Sequence, residues 1–173
     1  MSGGIQKKIL SEVHLIYGNV SMPKGFEIDR DKLSIDTLQS QITNKDFPFS
    51  RTWDMLNTFI RDHVNVEYNI NLINKQTWGN IYKPNEITIP LLNIDPVDLR
   101  NSPDYTLIYA LDCAKDSCEL VIEYDDNRRK NRTWYIPVHN NHFYIFPATQ
   151  KYFITKNNSK QLNVLLTINY EYI

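Results

Sequence analysis

The sequence predicts a mainly β protein, a β-sandwich or jelly roll with two helices packed on one outer face. Three observations lead to this fold class. From about residue 77 onward, short strand-like segments alternate with turn sequences at close intervals. Before that point, two segments have the apolar spacing of amphipathic helices. The chain of 173 residues is 42% hydrophobic and 23% charged, a composition typical of a globular domain with a sizeable core.

One short strand and two helices are predicted in the N-terminal part. The strand lies over residues 14–20, and the helices lie over residues 31–42 and 51–64, with Ser50 as the N-cap of the second helix. The apolar stripe of the first helix consists of Ile35, Leu38 and Ile42. The stripe of the second helix consists of Trp53, Leu56, Phe59, Ile60 and His63. We expect both stripes to pack against the sheet that follows.

Seven strands are predicted in the rest of the chain, separated by Asn-, Asp- and Pro-containing turns. They cover residues 77–82, 105–113, 118–124, 132–138, 142–146, 150–155 and 162–172. The last strand alternates most regularly. One of its faces carries Leu162, Val164, Leu166, Ile168, Tyr170 and Tyr172, and the other carries Asn163, Leu165, Thr167, Asn169 and Glu171. Because no repeat or linker divides the chain, we expect one domain over residues 1–173, with a helix-containing part (1–76) and a β core (77–173).

Charge and hydropathy exclude several classes of protein. The net charge of −1 argues against binding to nucleic acid or to an anionic membrane surface. No apolar run approaches the roughly 18 residues of a membrane span, and the first residues lack the features of a secretory signal. We therefore expect a protein that is not secreted. The 19 Asn, 20 Ile and 3 Ala indicate an A/T-rich source genome, as in many phages, so the expected location is the host cytoplasm.

The two cysteines flank a stretch of four residues. If residues 114–117 form a hairpin loop, the side chains of Cys113 and Cys118 face each other and could be bridged. We expect two reduced thiols instead, because a cytoplasm is a reducing compartment. Without a nearby pair of histidines, the two cysteines make no zinc site.

Two stretches resemble a known family. The first is WGNIY at residues 78–82, and the second is the C-terminal run that contains Phe146 and Pro147. Together they resemble the double-stranded β-helix of 2-oxoglutarate/Fe(II)-dependent oxygenases, particularly the small, phage-encoded, prolyl-hydroxylase-like members. The resemblance covers residues 77–173 and implies a double-stranded β-helix, a form of jelly roll. In that family, W-x-N-x-Y leads to an H-x-D or H-x-H pair, F-P precedes a distal His, and an Arg on the final strand holds the 2-oxoglutarate carboxylate.

The functional positions of this family carry other residues in this chain. Counted from Trp78, the H-x-D pair falls on Leu91 and Asn93; the distal His falls on Tyr152 and the Arg falls near Asn163. A facial triad needs two imidazoles and a carboxylate, and an asparagine cannot replace the bidentate clamp of an arginine. The resemblance therefore implies a degenerate member that binds neither iron nor 2-oxoglutarate. We predict that the chain is not an enzyme and needs no cofactor.

The main functional hypothesis is a structural or interaction protein, with the phage virion (head, neck or tail) as its setting. Its expected partners are other protein subunits, including phage structural proteins and further copies of the chain. A basic cluster at a predicted hairpin tip is the candidate contact for an acidic surface or a phosphate. It consists of Arg128, Arg129, Lys130 and Arg132. The alternative is a solvated loop whose charges are partly cancelled by Asp125 and Asp126.

Two other hypotheses remain open. The first is an active Fe(II)/2-oxoglutarate-dependent oxygenase with a non-standard metal site, in which His139 or His142 joins an upstream carboxylate. The carboxylate candidates are Glu86, Asp95 and Asp98. The second is a module that binds a small ligand inside the barrel through inward-facing side chains. Those side chains are Asn163, Thr167 and Asn169.

Overall fold

The computed structural model describes residues 8, 12–127 and 130–173. In this part of the chain, eight strands and two α-helices form. Their order is β1 (Ile16–Asn19), α1 (Arg30–Thr43), α2 (Arg51–Tyr68), β2 (Leu72–Tyr82), β3 (Tyr105–Asp112), β4 (Glu119–Asn127), β5 (Lys130–Pro137), β6 (His142–Pro147), β7 (Lys151–Ile154) and β8 (Asn163–Tyr172). One turn of 3-10 helix covers Leu99–Asn101. These bounds agree with the predicted elements to within a few residues at most ends.

The strands form two antiparallel sheets. The larger sheet has the order β1-β6-β3-β8-β2, and the smaller has the order β5-β4-β7. One isolated bridge lies beside β7, where the backbones of Leu91 and Tyr152 exchange hydrogen bonds of 2.7 and 3.0 Å. Most successive strands therefore alternate between the two sheets, which is the topology of a jelly roll. The predicted fold class, a double-stranded β-helix with two supporting helices, is confirmed.

Two hydrophobic cores lie on opposite faces of the larger sheet. The barrel interior is filled from both sheets, by residues such as Ile108, Tyr144 and Leu165 on one side and Leu120 and Ile154 on the other. The outer face of the larger sheet packs against the helices. That outer core contains Leu33, Leu56, Ile60, Leu107, Leu166 and Ile168, among others. The alternation predicted for the last strand is confirmed, because Val164, Leu166, Ile168 and Tyr170 face the helices while Leu165 faces the barrel.

Helix α2 packs largely as its sequence predicts, except that His63 of the predicted stripe is exposed. The Ser50 side chain accepts a hydrogen bond from the backbone N–H of Trp53 at 3.2 Å, which caps the first turn. Leu56, Ile60 and Val64 are buried on the sheet. The buried Tyr170 hydroxyl donates to Asn57 Oδ1 at 2.7 Å and ties β8 to this helix.

Helix α1 packs with a different face from the predicted one. Its stripe of Ile35, Leu38 and Ile42 lies outward, with Ile42 82% exposed, whereas Leu33, Asp36, Thr37 and Ser40 are buried. The reason is its close approach to β2. A Cβ at Gly79 would lie only 2.1 Å from Thr37 Cγ2, so the two elements meet at a position without a side chain. At such a short separation, only small side chains of the helix fit against the strand.

The segment of residues 113–118 is not a hairpin loop. Strand β3 belongs to the larger sheet and β4 belongs to the smaller one, so this segment is a corner that joins the two sheets. Cys113 and Cys118 are both free and buried at this corner. In the described part of the chain, neither helix is long and apolar enough to cross a membrane.

Candidate active site at one end of the barrel

A polar cluster interrupts the apolar interior at one end of the barrel. We call it the mouth cluster, and it consists of Asn80, Asn93, Thr106, Tyr152, Thr167 and Asn169. Four members of the cluster are at most 4% exposed, namely Thr106, Tyr152, Thr167 and Asn169. Asn93 is half-buried and connects the cluster to the loop before β3. Four different strands and the segment before β3 contribute to it, so the fold itself brings these side chains together.

The side-chain amide of Asn93 lies at the centre of this cluster. Its Nδ2 donates to Thr106 Oγ1 at 2.9 Å and to the Tyr152 hydroxyl oxygen at 3.1 Å, and it lies 3.3 Å from Asn169 Oδ1. The Thr106 hydroxyl donates to Asn169 Oδ1 at 3.1 Å. Asn80 Nδ2 donates to Thr167 Oγ1 at 2.8 Å. Buried polar atoms are stable only when they are hydrogen-bonded, and the members of this cluster satisfy one another.

The Tyr152 hydroxyl remains a neutral phenol in this environment. Burial raises its pKa above the ordinary value, and hydrogen bonds with Asn93 and Thr167 oppose that shift without cancelling it. At neutral pH, the hydroxyl can therefore donate a hydrogen bond to a ligand oxygen. A phenol with a raised pKa is a poor general base, so the described cluster offers orientation and charge stabilisation to a substrate.

Three of the four positions that the resemblance identified lie together. Leu91 pairs with the Tyr152 backbone, and Asn93 lies two residues further on with its amide against the Tyr152 hydroxyl. Asn163 lies apart from them. It is fully buried at the beginning of β8, where Nδ2 donates to Ser117 Oγ at 2.8 Å and Oδ1 accepts from the Ala114 backbone at 3.1 Å.

A cleft lies near the mouth cluster, although no member of the cluster lines it. It has a volume of about 310 Å³. Its lining is mainly apolar and aromatic, and includes Leu15, Ile122, Tyr124, Trp134, Ile136 and Phe146, with His14, Arg132 and Gln150 as polar members. Phe146 joins the cleft to the cluster, because its ring meets the Tyr152 ring edge-on with centroids 5.2 Å apart. An apolar cleft with a few polar groups in its lining is the usual form of a small-molecule site.

The structure does not assemble the alternative metal site. The rings of His139 and His142 lie 5.5 Å apart, and His142 Nδ1 contacts the backbone oxygen of Asn140 at 3.0 Å. Asp95 and Asp98 lie in a turn before β3 that is closed by Ser102. Glu86 hydrogen-bonds to the Lys83 backbone. Among the described residues, no group of three or more His, Cys, Asp and Glu side chains comes together to hold a metal ion.

The basic cluster is only partly described. Arg128 and Arg129 lie outside the described residues, and Lys130 and Arg132 belong to β5. Arg132 lines the cleft beside Tyr124 and Trp134. Its role as an interface with a partner stays a prediction.

The side chains at the mouth do not fit iron. The mouth cluster offers three hydroxyls and three carboxamides, all neutral, where a facial triad requires two imidazoles and a carboxylate. Leu91, at the first position of the H-x-D pair, has an apolar side chain that cannot ligate a metal ion. We therefore derive no step through a metal at this cluster.

Comparison with known proteins defines the fold. No protein-family model matches the sequence, and no curated protein matches it. Solved structures match over most of the chain. A prolyl-4-hydroxylase from Pseudomonas putida has a TM-score of 0.62 at 10% identity, covering 91% of this chain and 87% of its own. AviO1 from Streptomyces viridochromogenes Tue57 has a TM-score of 0.61 at 12% identity, covering 91% and 89%.

A third structure extends the range of reactions on this fold. The non-heme α-ketoglutarate-dependent epimerase SnoN, from nogalamycin biosynthesis, has a TM-score of 0.65 at 9% identity and covers 91% of this chain and 78% of its own. At these identities the likeness defines the fold, which is that of 2-oxoglutarate/Fe(II) oxygenases. The chain therefore has an oxygenase-like fold.

Our prediction that the chain is not an enzyme is wrong. The structures that share its fold over nine-tenths of the chain bear the names of enzymes, among them a hydroxylase, an epimerase and a monooxygenase. The prediction depended on four positions aligned to one motif, and such positions identify only the family's usual ligands. They do not show that every catalytic residue has been lost. The alignment of these four positions does not detect a reaction site built from other side chains.

Two members of the mouth cluster were not among the predicted site residues. Thr106 is the second residue of β3 and points inward with Ile108 and Ala110, so its signal in the sequence was a single hydroxyl among alternating apolar residues. Asn80 lies within the WGNIY stretch that carried the resemblance. Thr167 and Asn169 were predicted to face inward, and they do.

Proposed function

We propose that the chain is an enzyme of the oxygenase-like fold that acts on a small, neutral organic molecule bound at the mouth cluster. The observation that carries this proposal is the buried polar network around Asn93 and Tyr152, placed next to an apolar cleft. The apolar part of the substrate lies in the cleft against Trp134 and Phe146. Its carbonyl, amide or hydroxyl group lies toward Tyr152.

The chemistry of the site supports a neutral substrate. No carboxylate or ammonium group belongs to the mouth cluster, so a charged substrate would lose its hydration there without a counter-charge. Neutral donors aimed at a substrate oxygen can stabilise the negative charge that develops on it during a reaction. Tyr152, whose pKa is raised by burial, keeps its proton for this purpose.

Ligand binding by simple aromatic probes tests this site. Benzamide carries a polar group on an apolar ring, and toluene is its counterpart without that group. Trp134 lines the cleft, so its fluorescence reports occupancy, and a Trp134→Phe variant shows which part of the signal comes from it. We expect benzamide to quench Trp134 and to bind about fivefold to tenfold more weakly to Tyr152→Phe, the loss of one hydrogen bond.

Toluene is the matched control, and we expect it to bind wild type and Tyr152→Phe equally. Equal binding of benzamide to both proteins would contradict the proposal, as would the absence of any quenching. Circular dichroism of Tyr152→Phe shows whether the variant is folded, since the change removes one oxygen from a side chain that is 2% exposed.

A second candidate function is a 2-oxoglutarate-dependent oxygenase with a non-standard metal site. The shared fold favours it, because the names of similar structures include α-ketoglutarate-dependent enzymes. Its test is thermal unfolding under anaerobic conditions with Mn(II), with 2-oxoglutarate, and with both. Ligands at about 100 times their dissociation constant would raise the midpoint by about 5–10 °C. A shift that requires both ligands and disappears with a chelator selects this candidate, and no shift removes it.

A further inference from the structure

Two buried cysteines lie next to each other at the corner between the sheets. Cys113 follows β3 of the larger sheet, and Cys118 precedes β4 of the smaller one. Both are free thiols, and they are 5% and 4% exposed. Neither belongs to the mouth cluster, so the site they form is independent of the proposed reaction.

The beginning of β8 holds both sulfur atoms. Cys113 Sγ lies 3.8 Å from the backbone oxygen of Val164, and Cys118 Sγ accepts from Asn163 Nδ2 at 3.4 Å. The Cys113 thiol also hydrogen-bonds to Cys118. Consecutive residues of one strand, Asn163 and Val164, therefore anchor the two sulfurs, and Asn163 further fixes the corner through the Ala114 backbone.

The two thiols differ in their electrostatics. The hydrogen bond with Cys118 and burial raise the pKa of Cys113. The hydrogen bond from Cys113 lowers the pKa of Cys118, and hydrogen bonds from Ser117 and Asn163 add to that effect, while burial opposes it. Cys118 is therefore the sulfur that becomes a thiolate first, and the thiolate is the reactive form of cysteine.

We propose that Cys113 and Cys118 form a reversible oxidation site, which hydrogen peroxide converts to a disulfide that links the two sheets. The Cys118 thiolate attacks one peroxide oxygen, the O–O bond breaks, and Cys118 becomes a sulfenic acid as the first water forms. Cys113 then loses its proton and attacks the Cys118 sulfur. The S–S bond forms, the hydroxyl leaves, and with the Cys113 proton it makes the second water. Two thiols lose two electrons in total, and one peroxide becomes two waters.

The small size of peroxide matters, because both sulfurs are almost completely buried and a bulky disulfide reagent has no direct access to them. Oxidation replaces a thiol–thiol hydrogen bond by a covalent bond across the corner. It therefore restricts the unfolded chain, and we expect the oxidised protein to unfold about 4–8 °C higher than the reduced one.

The experiment treats the reduced, purified protein with a small excess of hydrogen peroxide and measures its intact mass. We expect a loss of two hydrogens, the loss of both thiols in a denatured thiol assay, and full reversal by dithiothreitol. Lys115 lies between the cysteines, so trypsin cleaves there and the two resulting peptides remain joined until they are reduced. Two thiols that survive peroxide, or oxygen additions without loss of hydrogen, would overturn the proposal.

Single variants test the order of the steps. In Cys113→Ser, the remaining Cys118 has no partner, so peroxide should leave a sulfenic acid, which dimedone traps once the protein is denatured in its presence. In Cys118→Ser, labelling of Cys113 should be at least tenfold slower. Faster labelling of Cys113 would contradict the assignment of Cys118 as the attacking sulfur. The wild-type mass measurement decides the existence of the disulfide even if a variant does not fold.

Discussion

Asn93 joins the surface to the interior of the barrel. Its amide contacts Thr106, Tyr152 and Asn169, and each of these three side chains is at most 4% exposed. The three residues come from different strands. The side chain of Asn93, from the segment before β3, lies between them and links them through hydrogen bonds. Removal of that amide leaves buried hydrogen-bonding groups without one of their partners.

We therefore expect Asn93→Ala to lower the free energy of unfolding by about 1–3 kcal/mol. Asn101→Ala is the matched control, because Asn101 is an exposed asparagine whose Nδ2 donates to Asp98 Oδ2 at 2.8 Å. That control should change stability by less than about 0.5 kcal/mol. Urea unfolding followed by circular dichroism measures both. Equal stability of the two variants would show that the Asn93 amide does not hold the cluster together.

Sequence alone placed some of these residues but not the network. Motif spacing put Leu91, Asn93 and Tyr152 at related positions, and the structure brings them into contact. Thr106 could not be connected with them, because strand pairing across 63 residues decides that it meets Asn169. The spacing also placed Asn163 with this group, although it lies at the sheet corner. The motif spacing marked Asn163 as a family position but did not show that it lies at the other end of β8 from Asn169.

Among the elements, α1 approaches β2 closely at Gly79. Gly79 permits it, because an added Cβ would lie 2.1 Å from Thr37 Cγ2 and 2.8 Å from Thr37 Cβ. Thr37 can rotate its methyl group, but its Cβ moves only with the helix. The contact is reinforced by Gln41, whose Nε2 donates to the Gly79 backbone oxygen at 3.0 Å.

Gly79→Ala should therefore destabilise the protein by about 1–3 kcal/mol, the usual cost of overpacking a close contact. Gly18→Ala on β1 is the control, because its added Cβ would meet the Phe143 ring at an ordinary 3.5 Å. Both variants change the unfolded chain alike, so the difference between them reports the native contact. A double variant with Thr37→Ala should recover part of the loss. If Gly18→Ala and Gly79→Ala unfold at the same denaturant concentration, α1 does not depend on this glycine.

Two substitutions on α1 distinguish its buried face from the face that carries the apolar stripe. We expect Leu33→Ala to cost about 2–4 kcal/mol, because Leu33 is fully buried against the sheet. Ile42→Ala removes a comparable side chain that is 82% exposed, and it should change stability by less than about 0.5 kcal/mol. Chemical unfolding of both variants tests this. A larger loss of unfolding free energy from Ile42→Ala than from Leu33→Ala would show that the buried face is the one that the sequence predicted.

The error on this helix has a physical cause. The spacing of Ile35, Leu38 and Ile42 is correct for one helix face, but close packing on a glycine selects small side chains instead of apolar ones. For α2, the buried face follows the predicted apolar stripe except at His63, which is exposed. A hydrophobic pattern therefore predicts that a helix forms more securely than it predicts which face is buried.

For the whole molecule, strand alternation and turn residues predicted a β-sandwich or a jelly roll, and the family resemblance selected the double-stranded β-helix. They could not predict that the segment of residues 113–118 crosses between sheets, because a short polar segment fits either a hairpin or a corner. The similar structures share the fold at 9–12% identity, which indicates that the pattern of inward and outward side chains defines this architecture with little dependence on particular residues.

Because several tyrosines are buried, the free energy of unfolding of the whole molecule depends on pH in the alkaline range. Burial raises the pKa of Tyr109 to about 12, while an unfolded tyrosine has a pKa of about 10. Burial also raises the pKa of Tyr82, Tyr144, Tyr152 and Tyr170. Between pH 10 and pH 12, the folded protein retains protons that the unfolded chain has released, so an increase in pH favours unfolding. This contribution to stability is complete below pH 10 and is lost as the pH rises toward 12.

We expect a cooperative alkaline transition between about pH 10 and pH 12, in which the buried tyrosines ionise as the sheets unfold. Absorbance at 295 nm follows phenolate formation, and far-UV circular dichroism follows the fold. Tyr109→Phe, which removes the hydroxyl that donates to Asn141 at 2.6 Å, should reduce the pH dependence of the unfolding free energy by up to about 1.4 kcal/mol per pH unit. Tyr135→Phe, at a 61% exposed position, is the control. Complete ionisation of all 11 tyrosines near pH 10 with an unchanged dichroism spectrum would contradict this prediction, because it would mean that the barrel interior admits phenolate anions without unfolding.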